Sequence, residues 1–275
     1  MTVADQISAL TDQPENADRT VLVLGASNVS LAWSQIVSLV LSSSTGRADF
    51  VTAHGMGRAY ASASSGFVFR RLPGILHSGL WAALPKFNDE QAASVLITDL
   101  GNDLLYGCSV SEVVEAAGEC VSRVRQWNSN ADFVVTAPPL TSVLKLQPTQ
   151  FRIMKQLLFP SCPLKLPQVQ QATQDLFDGI QTLAADQGLK IYEPPARCFG
   201  YDPIHIRRRD RRDVFHSMLK LWEHTPASPV ASPPASPVAW KRFSSPVPES
   251  RTIMGRSRTK RQPAIESDRL RVFAY

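Results

Sequence analysis

The chain is short of the features that would make it a secreted disulfide scaffold, a membrane protein or a nucleotide-dependent machine. Its four cysteines, Cys108, Cys120, Cys162 and Cys198, form no Cys-x-x-Cys pair and lack the dense spacing of a disulfide framework, which suits a reducing compartment. The longest apolar stretches are broken by Ser or Gln well short of a bilayer span, so no membrane span is expected. The first eighteen residues carry Asp5, Asp12, Glu15 and Asp18 and lack a basic region followed by an apolar core, so they do not read as a signal peptide. A soluble cytoplasmic protein is the expectation. No Gly-x-x-x-x-Gly-Lys phosphate loop occurs. Gly55-Met56-Gly57 lacks the third glycine and the first-strand position of a dinucleotide fingerprint, which argues against NTP or cofactor-dependent redox chemistry.

Charge is unevenly spread. Nine of the 29 Lys and Arg but three of the 24 Asp and Glu lie in 225–275, so 1–224 is near neutral and the net +5 belongs to the C-terminal stretch. That stretch opens on Pro-Ala-Ser-Pro repeats (226–229 and 234–237) and runs to Arg256, Arg258, Lys260 and Arg261, with few large aliphatic residues to offset the ordering of its backbone. The reading is one domain over 1–224 and a disordered Pro/Ser/Arg-rich tail over 225–275. The basic cluster could meet nucleic acid, an anionic membrane surface or a partner. No recognition module accompanies it, so no specific nucleic acid is expected and a solvated linker is the simpler reading. Oligomeric state has no signature.

Short, almost continuously apolar runs mark five strands: Thr20–Leu24, Phe50–Ala53, Ser94–Leu100, Phe133–Thr136 and Leu189–Tyr192. Helical periodicity follows most of them, over Val29–Leu41, Ser109–Trp127 and Gln168–Gln187, and Val214, Met218, Leu221 and Trp222 stripe a last helix. Ser109 or Ser111 can cap the second of these helices, with Glu112 and Glu115 in its first turns. Strands alternating with helices predict a flavodoxin-like three-layer α/β/α fold around a five-stranded parallel sheet. Residues 59–90 and 138–167, the latter with six prolines, break the alternation and read as long loops, covering a site or simply packing on the surface.

In such a sheet, chemistry gathers at the carboxyl ends of the strands. Gly25-Ala26-Ser27-Asn28 stands there after the first strand and ahead of a helix, where a serine is by itself more often a helix cap. Leu100-Gly101-Asn102-Asp103 follows the third strand. A buried Asn amide can donate to an oxyanion there, and Gly101 lets the backbone turn sharply, although Gly-Asn-Asp alone is an ordinary turn. Tyr201-Asp202-Pro203-Ile204-His205 follows the fifth strand and leads into the last helix. An Asp three residues before a His can accept the imidazole Nδ1 proton and leave Nε2 free to take one from serine.

In the order Ser, Asn, Asp, His, these segments over residues 20 to about 222 resemble the SGNH/GDSL hydrolase superfamily. The resemblance implies that Ser27 is the nucleophile, His205 the general base and Asp202 its orienting acid. It further implies an oxyanion hole from the N–H groups of Ser27 and Gly57 and the amide of Asn102, with Gly55 as the alternative donor after the second strand. Ala26, Asn28, Leu100 and Pro203 stand where the family often has Asp, Leu or Ile, Gly and Gly. Pro203, with φ near −65°, suits entry into a helix. The implied activity is hydrolysis of a small acyl or acetyl ester, with a small-molecule substrate and no metal or organic cofactor. The rival reading is a catalytically silent protein of the same fold that binds a partner through its basic tail. Arg207, Arg208, Arg209, Arg211 and Arg212 either face solvent beside Asp210 and Asp213 or receive an anionic substrate group. His54 and His77 read as structural, with His54, close to the second-strand loop, alternatively lining the site without acting as the base; His216 lies one helical stretch beyond His205 and has no carboxylate placed as clearly.

Overall fold

The computed structural model describes residues 17–43, 46–223 and 245–275. In chain order its elements are β1 (Arg19–Leu24), α1 (Ser27–Ser42), β2 (Ala48–Ala53), β3 (Ser64–Phe67), β4 (Arg70–Pro73), α2 (Leu80–Ala83), β5 (Ala92–Ile97), α3 (Asn102–Leu105), α4 (Val110–Trp127), β6 (Asp132–Thr136), α5 (Leu140–Leu144), α6 (Pro148–Leu158), α7 (Leu166–Gln187), β7 (Lys190–Tyr192), α8 (Arg211–Leu219), β8 (Ser250–Ile253), β9 (Arg256–Thr259), β10 (Ile265–Ser267) and β11 (Leu270–Ala274).

The five strands anticipated from the sequence pair in parallel in the order β2-β1-β5-β6-β7. This is the mixed α/β, flavodoxin-like arrangement expected. Alternation along β1 explains the layers, because successive side chains of a strand point to opposite faces. Leu22 and Leu24 enter one core with Val113, Val121 and Val124 of α4 and Leu176 and Ile180 of α7. Val21 and Val23 enter the other with Trp33 and Ile36 of α1 and Phe215 and Met218 of α8. Ser109 caps α4 and shares a capping box with Glu112, while Gly188 (φ +60°) ends α7 in the left-handed conformation that glycine tolerates.

The structure departs from the sequence reading at the C-terminus. Residues 245–275 are not a tail: β11 adds in parallel to β2 and β10 pairs antiparallel to β11, so the main sheet has seven strands in the order β10-β11-β2-β1-β5-β6-β7. The hairpin β8–β9 joins β3–β4 in a second, four-stranded antiparallel sheet. The physical reason is that Leu270, Val272 and Ala274 alternate into the core while Arg271 between them is neutralised by Asp49, at 2.7 and 2.5 Å. Composition averaged over fifty residues hides a strand of five. The remainder of the expected tail, 225–244, lies outside the described residues, as does Thr225's neighbour His224.

The two stretches read as irregular loops contain elements as well. Residues 59–90 hold the β3–β4 hairpin and α2, and 138–167 hold α5, α6 and the start of α7. Among the described residues, no helix is long and apolar enough to cross a membrane.

Leu270 is buried against the α1 side of the sheet. Leu270→Ala is expected to lower unfolding free energy by about 2–5 kcal/mol, as for other buried large-to-small changes. Urea denaturation of the full chain measures this, and a change near zero would contradict the placement of β11.

Candidate functional site

Two residues carry the chain from the end of β1 to the start of α1. Glycine suits that turn, since a Cβ on Gly25 would lie 2.5 Å from a Val29 methyl and 2.8 Å from a Thr98 methyl, both of which would have to shift. Ser27 is the first helical residue and not the cap, which is Ala26. Its hydroxyl therefore stands at the positive end of a sixteen-residue helix.

His205 comes to that hydroxyl from the opposite end of the sequence, with Nε2 2.8 Å from Ser27 Oγ. On its other side Nδ1 hydrogen-bonds to Asp202 Oδ2. An ionised carboxylate only accepts, so the proton sits on Nδ1 and the Nε2 lone pair faces the serine hydroxyl. Asp202 Oδ1 also accepts from the N–H groups of Ile204 (2.9 Å) and His205 (3.2 Å). Burial opposes the charge of Asp202, but the bond and charge of His205 and the two backbone donors outweigh it, holding the carboxyl below its ordinary value. Pro203 lies in the loop closed by the Phe199–Ile206 bridge, and α8 begins only at Arg211, so the expected entry of 202–205 into a helix is not realised.

Asn102 opens α3 at the end of β5 and is buried. Gly57 and Gly55 lie in the loop after β2, and the backbone at Gly57 requires glycine, whereas at Gly55 a larger residue would displace the end of the Leu72 side chain. A Cβ on Gly57, whose φ is +69°, would meet Gly66 O and Tyr106 Oη at 2.8 Å, and one on Gly55 would meet Leu72 Cδ1 at 2.2 Å. Among the described residues, no backbone carbonyl accepts the N–H of Ser27, Gly55 or Gly57. Gly101 has an ordinary helical φ of −66° and open space around its Cβ position. The left-handed residue of that turn is instead Asp99, at φ +65°.

Asp99 and its partner Asn28 escaped the sequence reading. The Asp99 carboxylate accepts from the N–H groups of Ala26 (2.9 Å) and Asn28 (3.0 Å) and from Asn28 Nδ2 (2.8 Å). The Asn28 side chain also donates to Ile204 O at 2.9 Å and accepts from Ile206 N–H at 2.9 Å, gripping the backbone on both sides of His205. The available signal was a polar residue at 28 where the resembled family is usually apolar.

Asp103 and Tyr60 form a second polar tie. Asp103 accepts from the N–H groups of Tyr60 and Ala61 at 2.8 Å, securing the loop that follows Gly57. Tyr60 Oη donates toward Leu24 O and Thr98 O, both at 2.8 Å, at the carboxyl ends of β1 and β5. Burial pushes Asp103 up to about 6 despite these donors.

His54 is buried, and its ring bonds to Thr52 and Ser245 rather than to Ser27. Thr52 Oγ1 gives its proton to Val23 O at 2.7 Å, so it accepts from His54 Nδ1 at 2.6 Å, and Nε2 faces the Ser245 hydroxyl at 3.1 Å. Burial, then Arg58 and Arg70, lower its pKa to about 3, which keeps the ring neutral. His77 Nε2 faces Ala61 O at 3.2 Å. In the arginine run, Arg207 pairs with Asp210 at 2.7 Å, Arg209 lies 3.7 Å from the same carboxylate and Arg211 donates to Ile206 O at 3.0 Å.

No family model matches the chain, and no curated protein matches it in sequence. Solved structures do. A carbohydrate acetylesterase from Sinorhizobium meliloti matches with a TM-score of 0.52 at 16% identity, over 74% of this chain and 97% of that one. A putative arylesterase from Agrobacterium tumefaciens matches at 0.51 and 16%, over 74% and 97%. The inhibitor-bound aryl esterase of M. smegmatis matches at 0.50 and 13%, over 73% and 97%. At these identities the likeness is one of fold.

Asn28→Leu leaves Asp99, Ile204 O and Ile206 N–H short of a buried partner, and unfolding free energy should fall by about 1–3 kcal/mol or more; chemical denaturation reads this. A second expectation concerns pH. Because folding raises the Asp103 pKa above its ordinary value, the folded state binds the proton more tightly, and this group's contribution to stability declines as pH rises from about 4 to about 6. Urea midpoints of wild type and Asp103→Asn across that range should show this component only in the wild type.

Proposed function

From a chain with the SGNH/GDSL hydrolase fold, we propose a serine esterase that hydrolyses small acyl or acetyl esters. The observation that carries this reading is the Ser27 hydroxyl 2.8 Å from His205 Nε2, with Nδ1 turned to Asp202. A serine hydroxyl is a weak nucleophile until a base takes its proton, and an imidazole held in this tautomer is such a base.

In the proposed cycle Ser27 Oγ attacks the ester carbonyl as its proton passes to His205 Nε2. Asp202 stabilises the resulting imidazolium through Nδ1 and does not itself take the proton. The tetrahedral oxyanion is held by the N–H groups of Ser27 and Gly57 and by the Asn102 amide, with Gly55 the alternative loop donor. His205 then protonates the leaving alcohol, and water deprotonated by the same imidazole releases the acid and restores Ser27. Such donors act because they are already aimed where charge develops. Asn28 is assigned a positioning role: it holds Ile204 and Ile206, and hence the loop on which His205 rides.

A mostly apolar cleft beside Asn102, walled by Leu104, Pro138, Val143 and Ile204 among others, offers a place for part of such a substrate. That the solved structures of similar fold include acetyl and aryl esterases also supports this substrate class.

Ser27→Ala should abolish turnover of p-nitrophenyl acetate and labelling by a fluorophosphonate probe while leaving the fold intact. Asn102→Ala should lower kcat by roughly 10²–10³, and Asp202→Asn by about 10⁴. A wild-type protein that neither turns over short esters nor reacts with the probe would instead be the silent, partner-binding member of the fold.

A further inference from the structure

The four-stranded sheet β3-β4-β8-β9 takes no part in the proposed chemistry, yet it carries two features that a freely solvated sheet would avoid. The first is apolar tips. The β3–β4 hairpin turns at Val68 and Phe69, which are 73% and 70% exposed, and the β8–β9 hairpin turns at Met254, 75% exposed, beside the exposed Ile253. The two tips are neighbours, since Met254 N–H donates to Phe69 O at 2.9 Å. Leu157 of α6, 68% exposed, lies across a groove from Val68 and extends the patch. Val68 holds φ at +57°, where a β-branched residue is strained and glycine would sit without cost. A hydrophobe at this tip is therefore not what the turn geometry favours.

The second feature is uncompensated positive charge. Residues 64–73 and 250–261 contain no acidic residue, Glu249 standing just before them, and carry the exposed Arg71, Arg256, Arg258 and Arg261 with the half-buried Arg70, Arg251 and Lys260. Arg251 and Arg258 are directly opposed across β8–β9, an arrangement that destabilises a sheet unless an anion lies close. The ion pairs formed among the described residues, such as Arg271 with Asp49 and Arg207 with Asp210, all lie elsewhere.

Large exposed apolar side chains on the same sheet as the exposed cations Arg71, Arg256 and Arg258, with the exposed Arg261 just past its last strand, match the interface of an anionic bilayer, where the former enter the acyl boundary and the latter meet phosphate and carboxylate headgroups. We propose that the β3-β4-β8-β9 sheet is a docking surface for an anionic phospholipid membrane, with Val68, Phe69, Ile253 and Met254 inserted and the flanking arginines on the headgroups. The sheet is tied to the Gly57 loop, since Tyr106 Oη, beside Gly57, donates to Gly66 O of β3 at 3.3 Å. Docking would thus bring the candidate site close to the lipid surface. The inference does not depend on the esterase reading.

Co-sedimentation of the full chain with extruded vesicles tests it. Vesicles with about 30% phosphatidylserine in phosphatidylcholine should bind the protein at least roughly ten-fold more strongly than phosphatidylcholine alone, and less so at high salt. Phe69→Ser with Met254→Ser should reduce that binding about ten-fold through lost apolar insertion. Arg256→Gln with Arg258→Gln should reduce it by a similar factor, each charge contributing at the surface. All four positions are exposed, so unchanged thermal unfolding should accompany the loss. Equal binding to neutral and anionic vesicles, or full retention by the Phe69/Met254 variant, overturns the proposal. So does tight binding of an RNA oligomer with no vesicle binding, which would assign the arginines to nucleic acid.

Discussion

Asn28 donates to Asp99 and to Ile204 and accepts from Ile206, so one buried side chain joins the turn that bears Ser27 to the loop that bears His205. Without it, nothing in the local sequence of either segment would place a hydroxyl and an imidazole from positions 178 apart within hydrogen-bonding distance. Asp99 completes the arrangement by accepting the N–H groups of Ala26 and Asn28 at the start of α1, donors that the helix itself cannot satisfy. Its left-handed backbone, tolerable for an Asp, aims the carboxylate there.

The same economy governs the other half of the candidate site. Asp103 and Tyr60 are fully buried polar groups, and each is satisfied by backbone atoms of a different strand end or loop. Burying such groups is tolerable only with their partners in place, so they act as all-or-none locks on the position of the Gly57 loop relative to β1 and β5. The raised Asp103 pKa is the mark of that burial. In that loop the Arg58 N–H donates to Gly55 O at 3.1 Å, while no backbone carbonyl among the described residues accepts the N–H of Gly55 or Gly57.

The C-terminal strands extend this framework. β11 covers the outer edge of β2, and Ser245 meets the buried ring of His54, so the end of the chain seals the strand from which the Gly55–Gly57 loop departs. Arg58, buried in that loop, hydrogen-bonds to Pro73 O at 2.9 Å and to the carbonyl of Tyr275, linking the loop to both sheets. Burial, opposed in part by Tyr60 and reinforced by Arg70, lowers its pKa to about 9. The cationic second sheet is therefore mechanically continuous with the loop beside the candidate site.

Amino-acid order alone determined the five parallel strands, the helices that flank them and the order of the Ser, Asn, Asp and His segments along the chain. These depend on periodicity, capping and turn chemistry, which act over a few neighbours and are written into contiguous residues. Proximity alone, however, could not tell a helix-capping serine from one that meets a histidine, nor find the Asn28–Asp99 grip. It also hid β11, whose Arg271 reads as tail-like in sequence but is paired with Asp49 of the neighbouring strand. Those features arise from pairings between residues dozens to hundreds of positions apart, and only packing of the whole chain decides which buried polar groups find one another.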